Sequence, residues 1–218
     1  MMPTKEVKEE VEVYKDHFRR AAKAMRSNRV YGTDEAVQEY LQAARMKGVS
    51  PEMSRKAAQA AYNSLLGEVR NIELKSERGI GVAAADNLAA ARIAKEFWLT
   101  EKAEGSDDAR RERQKGMPQT AEVPLKKSLD LFESLVGIHT QPSGASRDSR
   151  YNPKAAIRTL EQMFDIATEF KLEDKVHEYA REIVNMSNSY VSWFKRNSMH
   201  TKALEYQKKA ERYEYFVE

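Results

Sequence analysis

The chain has 218 residues, of which 41% are hydrophobic and 33% are charged, and its formal net charge is +3. This length can bury a sizeable core in one or two domains, and the composition is typical of a helix-rich globular protein. The chain has no cysteine, which excludes disulfides and thiolate metal sites. No apolar run approaches the roughly 20 residues that span a bilayer, and the net charge is well below that of a dedicated nucleic-acid binder. We therefore expect a protein of the cytosol or nucleus, in the first instance cytoplasmic, with no membrane partner.

Residues 1–104 contain four stretches in which apolar side chains recur at steps of three and four, the spacing of one helix face. The first predicted helix covers about residues 4–28, and the fourth covers residues 82–103. The first three stretches each start at a residue whose side chain can accept hydrogen bonds from free helix amides. These predicted N-caps are Thr4, Thr33 and Ser50. We predict that the four helices form an N-terminal helical bundle.

Two glycines precede the fourth predicted helix. Gly79, Gly81 and Ala84 match the G-x-G-x-x-A form of the dinucleotide fingerprint, in which a glycine turn and a helix N-terminus hold a phosphate. The fingerprint also needs a buried strand before the glycines and another after them, whereas residues 72–78 are short and charged and the following residues have a helical period. We interpret the glycines as a turn between two helices and predict no cofactor.

The pattern changes at residues 105–120, where charged side chains surround almost nothing apolar, and we predict a charged linker there. Residues 121–218 then contain four more helical stripes, the fifth helix covering about residues 124–138. The last three follow Asn152, a predicted N-cap, with short connections that favour antiparallel neighbours. The sequence thus predicts an all-α fold of about eight helices. They would form antiparallel hairpins, in a helical bundle or a short helical-repeat array, as two domains or one continuous domain.

The last two helices share a pattern of small and aromatic residues. Ala203 and Ala210 stand seven residues apart with Tyr206 between them, and the preceding helix carries Phe194. Over residues 184–217 this pattern resembles a tetratricopeptide-type helical hairpin, in which small residues let two helices approach closely and an aromatic ring fills the gap. The Trp-Leu-Gly signature of the leading helix is absent. The resemblance implies a style of helix packing and does not establish a peptide-binding groove.

Aromatic and basic residues also lie outside the apolar stripes of these helices. We predict that a binding surface in this unit has Trp193 and Tyr215 as anchors and Arg196 and Arg212 at its rim, because aromatic anchors contribute large contact area at small entropic cost. The alternative for Trp193 is a core position that a further helix, such as the fifth, covers.

No catalytic constellation emerges from the sequence. The four histidines lack the second set of ligands that a metal site in a bundle needs, and no serine or histidine lies in a nucleophile motif. We therefore predict a non-enzymatic interaction or assembly protein, an adaptor or scaffold, without catalytic, cofactor or metal residues. It would bind a protein or peptide partner, or self-associate, for example along the apolar seam Val7 to Met25 of the first helix.

The alternative is a nucleic-acid-associated protein that uses the basic and aromatic surface of the C-terminal helices. An enzyme of an unrecognised all-helical type comes third.

Overall fold

The structure, a computed structural model, describes residues 5–27, 32–100, 116–141 and 152–217, and the side chains of all of these except residues 5–8. All regular secondary structure in these ranges is α-helical, which confirms the predicted all-α class with eight helices. The helices are α1 (Lys5–Arg26), α2 (Gly32–Ala44), α3 (Pro51–Val69), α4 (Glu77–Glu96), α5 (Gln119–Thr140), α6 (Pro153–Glu169), α7 (Glu173–Arg196) and α8 (His200–Glu214). Within the described ranges, no helix combines the length and the apolar character that crossing a membrane requires.

Two predicted helix starts are confirmed in atomic detail. The side chain of Ser50 accepts a hydrogen bond from the amide of Met53 at 3.2 Å, and that of Asn152 accepts one from the amide of Ala155 at 3.1 Å. In both cases a proline occupies the first helical position, where its missing N–H costs nothing. These starts follow from local chemistry alone.

The predicted turn at residues 79–81 is wrong, because α4 already begins at Glu77. The side chain of Ser76 caps this helix by accepting a hydrogen bond from the amide of Gly79 at 3.1 Å. A Cβ on Gly79 would lie 2.2 Å from the carbonyl oxygen of Glu73, so a glycine is needed there for a close backbone approach. α4 also ends at Glu96 and does not continue to residue 103.

α2 and α5 also begin earlier than predicted. α2 starts at Gly32, which places the predicted cap Thr33 inside its first turn. α5 starts at Gln119, so that Pro124 lies inside the helix. A proline at this place leaves the carbonyl four residues earlier without an intrahelical donor. The Tyr62 hydroxyl of α3 donates a hydrogen bond to that carbonyl, of Thr120, at 3.0 Å.

We expect Tyr62→Phe to lower the free energy of unfolding by about 1–2 kcal/mol, because the partly buried carbonyl of Thr120 loses its donor. The loss should be smaller in a Pro124→Ala background, where the new amide of residue 124 can donate to the same carbonyl. Urea denaturation of the wild type, the two single variants and the double variant measures this coupling. Equal losses in both backgrounds would show that the tyrosine does not compensate for the proline.

The described helices belong to two compact units, residues 1–128 and 129–218, whose boundary falls inside α5. Most of the predicted linker, residues 105–120, lies outside the described residues. The predicted division into an N-terminal bundle (1–104) and a C-terminal bundle (121–218) therefore stays a prediction.

In the first unit, α1 packs on α2, α2 on α3 and α3 on α4. Ser128 of α5 donates a hydrogen bond to the carbonyl of Ala84 in α4 at 2.8 Å. Many contacts are made by fully buried alanines, which let the helices approach closely: Ala21, Ala36, Ala43, Ala57, Ala58, Ala61, Ala83, Ala84, Ala90, Ala91, Ala94 and Ala121. Tyr14 and Ala21, in the seam predicted as a self-association face, are buried inside this unit.

Asp86 of α4 is a partly buried acidic residue in the first unit. Its Oδ2 is buried without a hydrogen-bond partner among the described residues. Burial, and then the charges of Glu68 and Asp34, raise the pKa of its carboxyl group to about 6. The folded protein therefore binds this proton more tightly than the unfolded chain, where the pKa is about 3.9. Stability is lost as the pH rises from about 4 to about 6, and it stays lower above that.

We expect Asp86→Asn to raise the free energy of unfolding at pH 7 by about 1–2 kcal/mol, a value that allows for partial solvent screening. The gain should shrink to about 0.5 kcal/mol near pH 4, where the carboxyl group is protonated in the folded protein and about half protonated in the unfolded chain. Urea denaturation at the two pH values checks this, with Asp16→Asn as the control, because Asp16 is an exposed acid of α1 and is not among the charges that raise the pKa of Asp86. An equal gain at both pH values would mean that ionisation is not its cause.

In the second unit, α6 packs on α7 and α7 on α8. Ala203 and Ala210 of α8 are buried, and Tyr206 between them stacks on Phe194 of α7 with ring centroids 5.5 Å apart. The two helices thus form a closely packed hairpin. Its relationship to tetratricopeptide repeats stays a prediction.

Candidate functional site

Helix α7 has two distinct faces, one buried and one lining a groove. One face is buried against its neighbours and consists of Tyr179, Ala180, Ile183, Ser187, Val191 and Phe194. A second face, which we call the groove face, consists of Glu182, Asn185, Met186, Ser189, Tyr190, Trp193 and Arg196. The two sets interleave along the helix, so that α7 supports the core and presents a continuous second strip.

The groove face forms one side of a groove of about 860 Å³. The opposite side consists of Val136 and Thr140 near the end of α5 and of Pro153 at the start of α6. Glu182 and Arg196 mark the two ends of the strip on α7. Fourteen residues separate them, so the groove extends over about 21 Å, or about four helical turns.

Trp193 lies in this groove with 48% of its surface exposed. Its ring meets that of Phe194 edge to face, with centroids 5.0 Å apart. The fifth helix, which the core alternative would place over this residue, lines the other side of the groove and leaves the indole half exposed. The geometry therefore favours the exposed position over the core alternative.

We expect Trp193→Ala to change the free energy of unfolding by less than about 1 kcal/mol, since the indole contributes little to the core. Phe194→Ala is the matched control: its ring is buried, and its loss should cost about 3 kcal/mol or more. Thermal or urea denaturation of both variants compares the two neighbours. If Trp193→Ala destabilises the chain as much as Phe194→Ala, then Trp193 is a core residue.

Tyr215, the second predicted anchor, is 84% exposed and follows the end of α8. The next residue, Phe216, accepts a hydrogen bond through its carbonyl from Nδ1 of His177 at 2.7 Å. The C-terminal end of α8 therefore lies beside the N-terminal part of α7. Sixteen residues of α7 separate His177 from Trp193, which corresponds to about 24 Å.

The structure thus does not bring the four predicted residues together. Trp193 and Arg196 share the groove, whereas Arg212 and Tyr215 lie near the other end of the hairpin. There the guanidinium of Arg212 lies over the ring of Tyr213, 5.6 Å from its centroid. Their role as partner-binding residues stays a prediction. The four residues do not form one contiguous surface.

The N-terminal end of the groove is acidic. Lys175 forms ion pairs with Glu133 at 3.2 Å and with Glu178 at 2.9 Å. Glu182 forms no ion pair with a residue that the structure describes. Burial, and then the charges of Glu178 and Glu133, raise the pKa of its carboxyl group, and Lys175 offsets this only in part. Among the described residues, this carboxylate therefore has no cation of its own.

The other end of the groove is basic. Lys195 and Arg196 lie in the last turn of α7, where positive charge complements the helix dipole. Nε of Arg196 donates to the carbonyl of Ser192 at 3.3 Å, and this guanidinium pairs with no carboxylate in the described part of the chain. The groove therefore has one negative and one positive end.

The serine and threonine hydroxyls along the groove already have partners. Ser189 donates to the carbonyl of Asn185 at 3.0 Å, and Thr140 donates to that of Val136 at 2.9 Å. Each of these two hydroxyls is thus bonded to its own helix backbone and is not aimed at a common point. The groove offers contact area, and its two charged groups stand at opposite ends.

Part of the basic and aromatic surface behind the nucleic-acid alternative is engaged in packing. Phe194, Tyr206 and Tyr213 are buried, so their faces are not open to a base. Lys209 forms an ion pair with Glu161 of α6. These contacts weaken the case for base stacking at this surface.

Glu182, Met186 and Tyr190 were not predicted as site residues; the sequence pattern placed Tyr190 in the core stripe and Glu182 outside it. A signal for the groove face exists in the spacing, since 182, 186, 189, 193 and 196 follow alternating steps of four and three. Comparison with known proteins adds nothing to this site: no protein-family model matches the chain, and no curated protein or solved structure is significantly similar to it.

Proposed function

We propose that this chain is a non-enzymatic assembly protein that binds a partner helix in the groove beside α7. The observation that carries the proposal is the half-exposed indole of Trp193 in a groove whose serine and threonine hydroxyls are bonded to their own helices. Aromatic residues placed in this way are the usual anchors of protein interfaces.

The shape of the groove favours a helix as the ligand. Its length of about 21 Å matches about four helical turns, and helices bind such grooves through side chains spaced three and four residues apart. A small-molecule site needs polar groups that converge on one point. Here the charged groups, Glu182 and Arg196, stand at opposite ends. A partner helix with a basic residue at one end and an acidic residue at the other would complement both.

A photo-reactive residue at a single site tests this proposal. We expect p-benzoylphenylalanine at position 193 to cross-link to a protein on irradiation in cells, and mass spectrometry should place the link in a helical segment. The matched control is the same residue at position 181, which is also exposed on α7 but outside the groove. If position 193 yields no more cross-linked protein than position 181, the groove is not a protein-binding site.

Salt dependence separates this proposal from the nucleic-acid alternative. Nucleic-acid binding should weaken steeply as the salt concentration rises, because each phosphate contact releases counterions. A helix anchored by Trp193 should respond far less. The cytoplasmic location expected from the sequence stays a prediction.

A further inference from the structure

Five residues of the groove face of α7 are arranged symmetrically about Ser189: Glu182, Asn185, Ser189, Trp193 and Arg196. Glu182 stands seven residues before Ser189, and Arg196 stands seven residues after it. Alternating steps of four and three are the spacing of a coiled-coil seam. A helix turned end for end about Ser189 therefore places Glu182 opposite Arg196 and Asn185 opposite Trp193.

We propose that the helix bound in this groove is α7 of a second copy of the chain, lying antiparallel about a two-fold axis that passes near Ser189. This inference rests on the proposed function and names its partner. Such an interface is isologous, because each copy uses the same surface, and it closes at two chains.

Charge complementarity selects this partner and its orientation. In the antiparallel pair, Glu182 of each copy faces Arg196 of the other, which makes two opposite-charge contacts. Neither side chain forms an ion pair within the described part of its own chain. A parallel pair would place Glu182 against Glu182 and Arg196 against Arg196, and like charges in an interface are strongly disfavoured.

The raised pKa of the Glu182 carboxyl group points the same way. Its ionised form is disfavoured by burial and by two neighbouring carboxylates, while Lys175 is shared between those two acids. The guanidinium of Arg196 from a second copy would supply the cation that this end of the groove lacks. The same contact would give that guanidinium a carboxylate partner.

The centre of the groove face suits a helix crossing. Ser189 is small, and its hydroxyl already donates to the carbonyl of Asn185, so close approach of two helices at this point leaves that hydroxyl satisfied. In the two-fold arrangement Trp193 of one copy lies over Asn185 of the other, and Met186 is the next residue along that helix. Each half-exposed indole would thus be covered, and a thioether near an aromatic ring adds a favourable contact.

The expected dimer is concentration-dependent, because four turns of helix with rims from α5 and α6 form a modest interface compared with those of obligate dimers. Sedimentation velocity of the full chain over a wide concentration range should show a monomer–dimer equilibrium. A chain that stays monomeric throughout would overturn the inference.

Charge reversal identifies the surface. Glu182→Arg or Arg196→Glu alone puts like charges in both contacts, and each should raise the dimer dissociation constant at least about tenfold. The double variant Glu182→Arg with Arg196→Glu exchanges the two charges and should restore dimerisation. Lys195→Glu is the control: it makes the same charge change one residue away, outside the groove face. A double variant as monomeric as the single ones, or a control as damaging as Arg196→Glu, would refute the arrangement. Circular dichroism verifies that every variant is folded.

A cysteine at the axis gives a second, independent readout. The chain has no cysteine, so Ser189→Cys introduces one thiol per copy, and the two-fold axis places these thiols together. We expect Ser189→Cys to form a disulfide-linked dimer on mild oxidation, and faster than Asn188→Cys, whose exposed side chain points away from the groove face. Equal rates would place the axis elsewhere.

The outcomes separate this inference from the proposed function. If the chain is monomeric but position 193 cross-links to a different protein, the groove binds a helix and the second copy is excluded. If position 193 cross-links to no protein, both proposals fail.

Discussion

Tyr179→Ala is expected to lower the free energy of unfolding of the second unit by about 3–5 kcal/mol, the largest effect that we predict for a single residue there. Tyr179 is 1% exposed, so removing its ring leaves a cavity where α7 packs on its neighbours. The hydroxyl also donates to Glu133 at 3.2 Å, and the ammonium of Lys175 lies 5.3 Å from the ring centroid. The substitution therefore removes packing, a hydrogen bond and a cation–π contact together.

Tyr179→Phe is the matched control, because it keeps the ring and removes only the hydroxyl. Its cost should be about 1–2 kcal/mol, that of one hydrogen bond to a charged acceptor. Urea denaturation followed by circular dichroism measures both losses. If the two variants lose the same free energy, the hydrogen bond dominates and the packing argument is wrong.

Tyr14→Ala is expected to destabilise the first unit by a similar amount, about 3–5 kcal/mol. The Tyr14 ring is buried, and its hydroxyl donates to the carbonyl of Met53 in α3 at 2.8 Å. The ring lies 4.9 Å from that of Phe18, which in turn meets the ring of Tyr40 in α2 at 5.0 Å. Tyr14 therefore links α1 to α3 directly and to α2 through a second ring.

The contributions of the hydroxyl and the ring of Tyr14 to stability can also be measured separately. Tyr14→Phe should cost only about 1 kcal/mol, because the carbonyl of Met53 loses one neutral donor. Hydrogen exchange should show that Tyr14→Ala loosens α1 before the other helices of its unit. Uniform exchange across the unit would indicate that α1 is not held mainly by this residue.

The helices follow largely from local chemistry. Apolar residues at steps of three and four identify the helix faces, and Ser50 and Asn152 cap their helices where the sequence places them. The sequence does not show bonds that cross between helices. The hydroxyl of Tyr62 donates a hydrogen bond to the carbonyl of Thr120, 58 residues away. Pro124, which lies inside α5, cannot donate to this carbonyl. The backbone approach of Glu73 to Gly79 is likewise a product of the folded chain.

The candidate site also has features that follow from the sequence and features that only the tertiary structure shows. The sequence by itself determined that the protein is all-α, where most helices lie, and that Trp193 falls beside the main apolar stripe of its helix. Only the tertiary structure decided that Trp193 shares a groove with Arg196 and Glu182, while Tyr215 lies about 24 Å away at the other end of α7. The physical reason is that periodicity reports which side of a helix is apolar. It does not report which neighbouring helix packs on that side, or at which residue of the helix this packing ends.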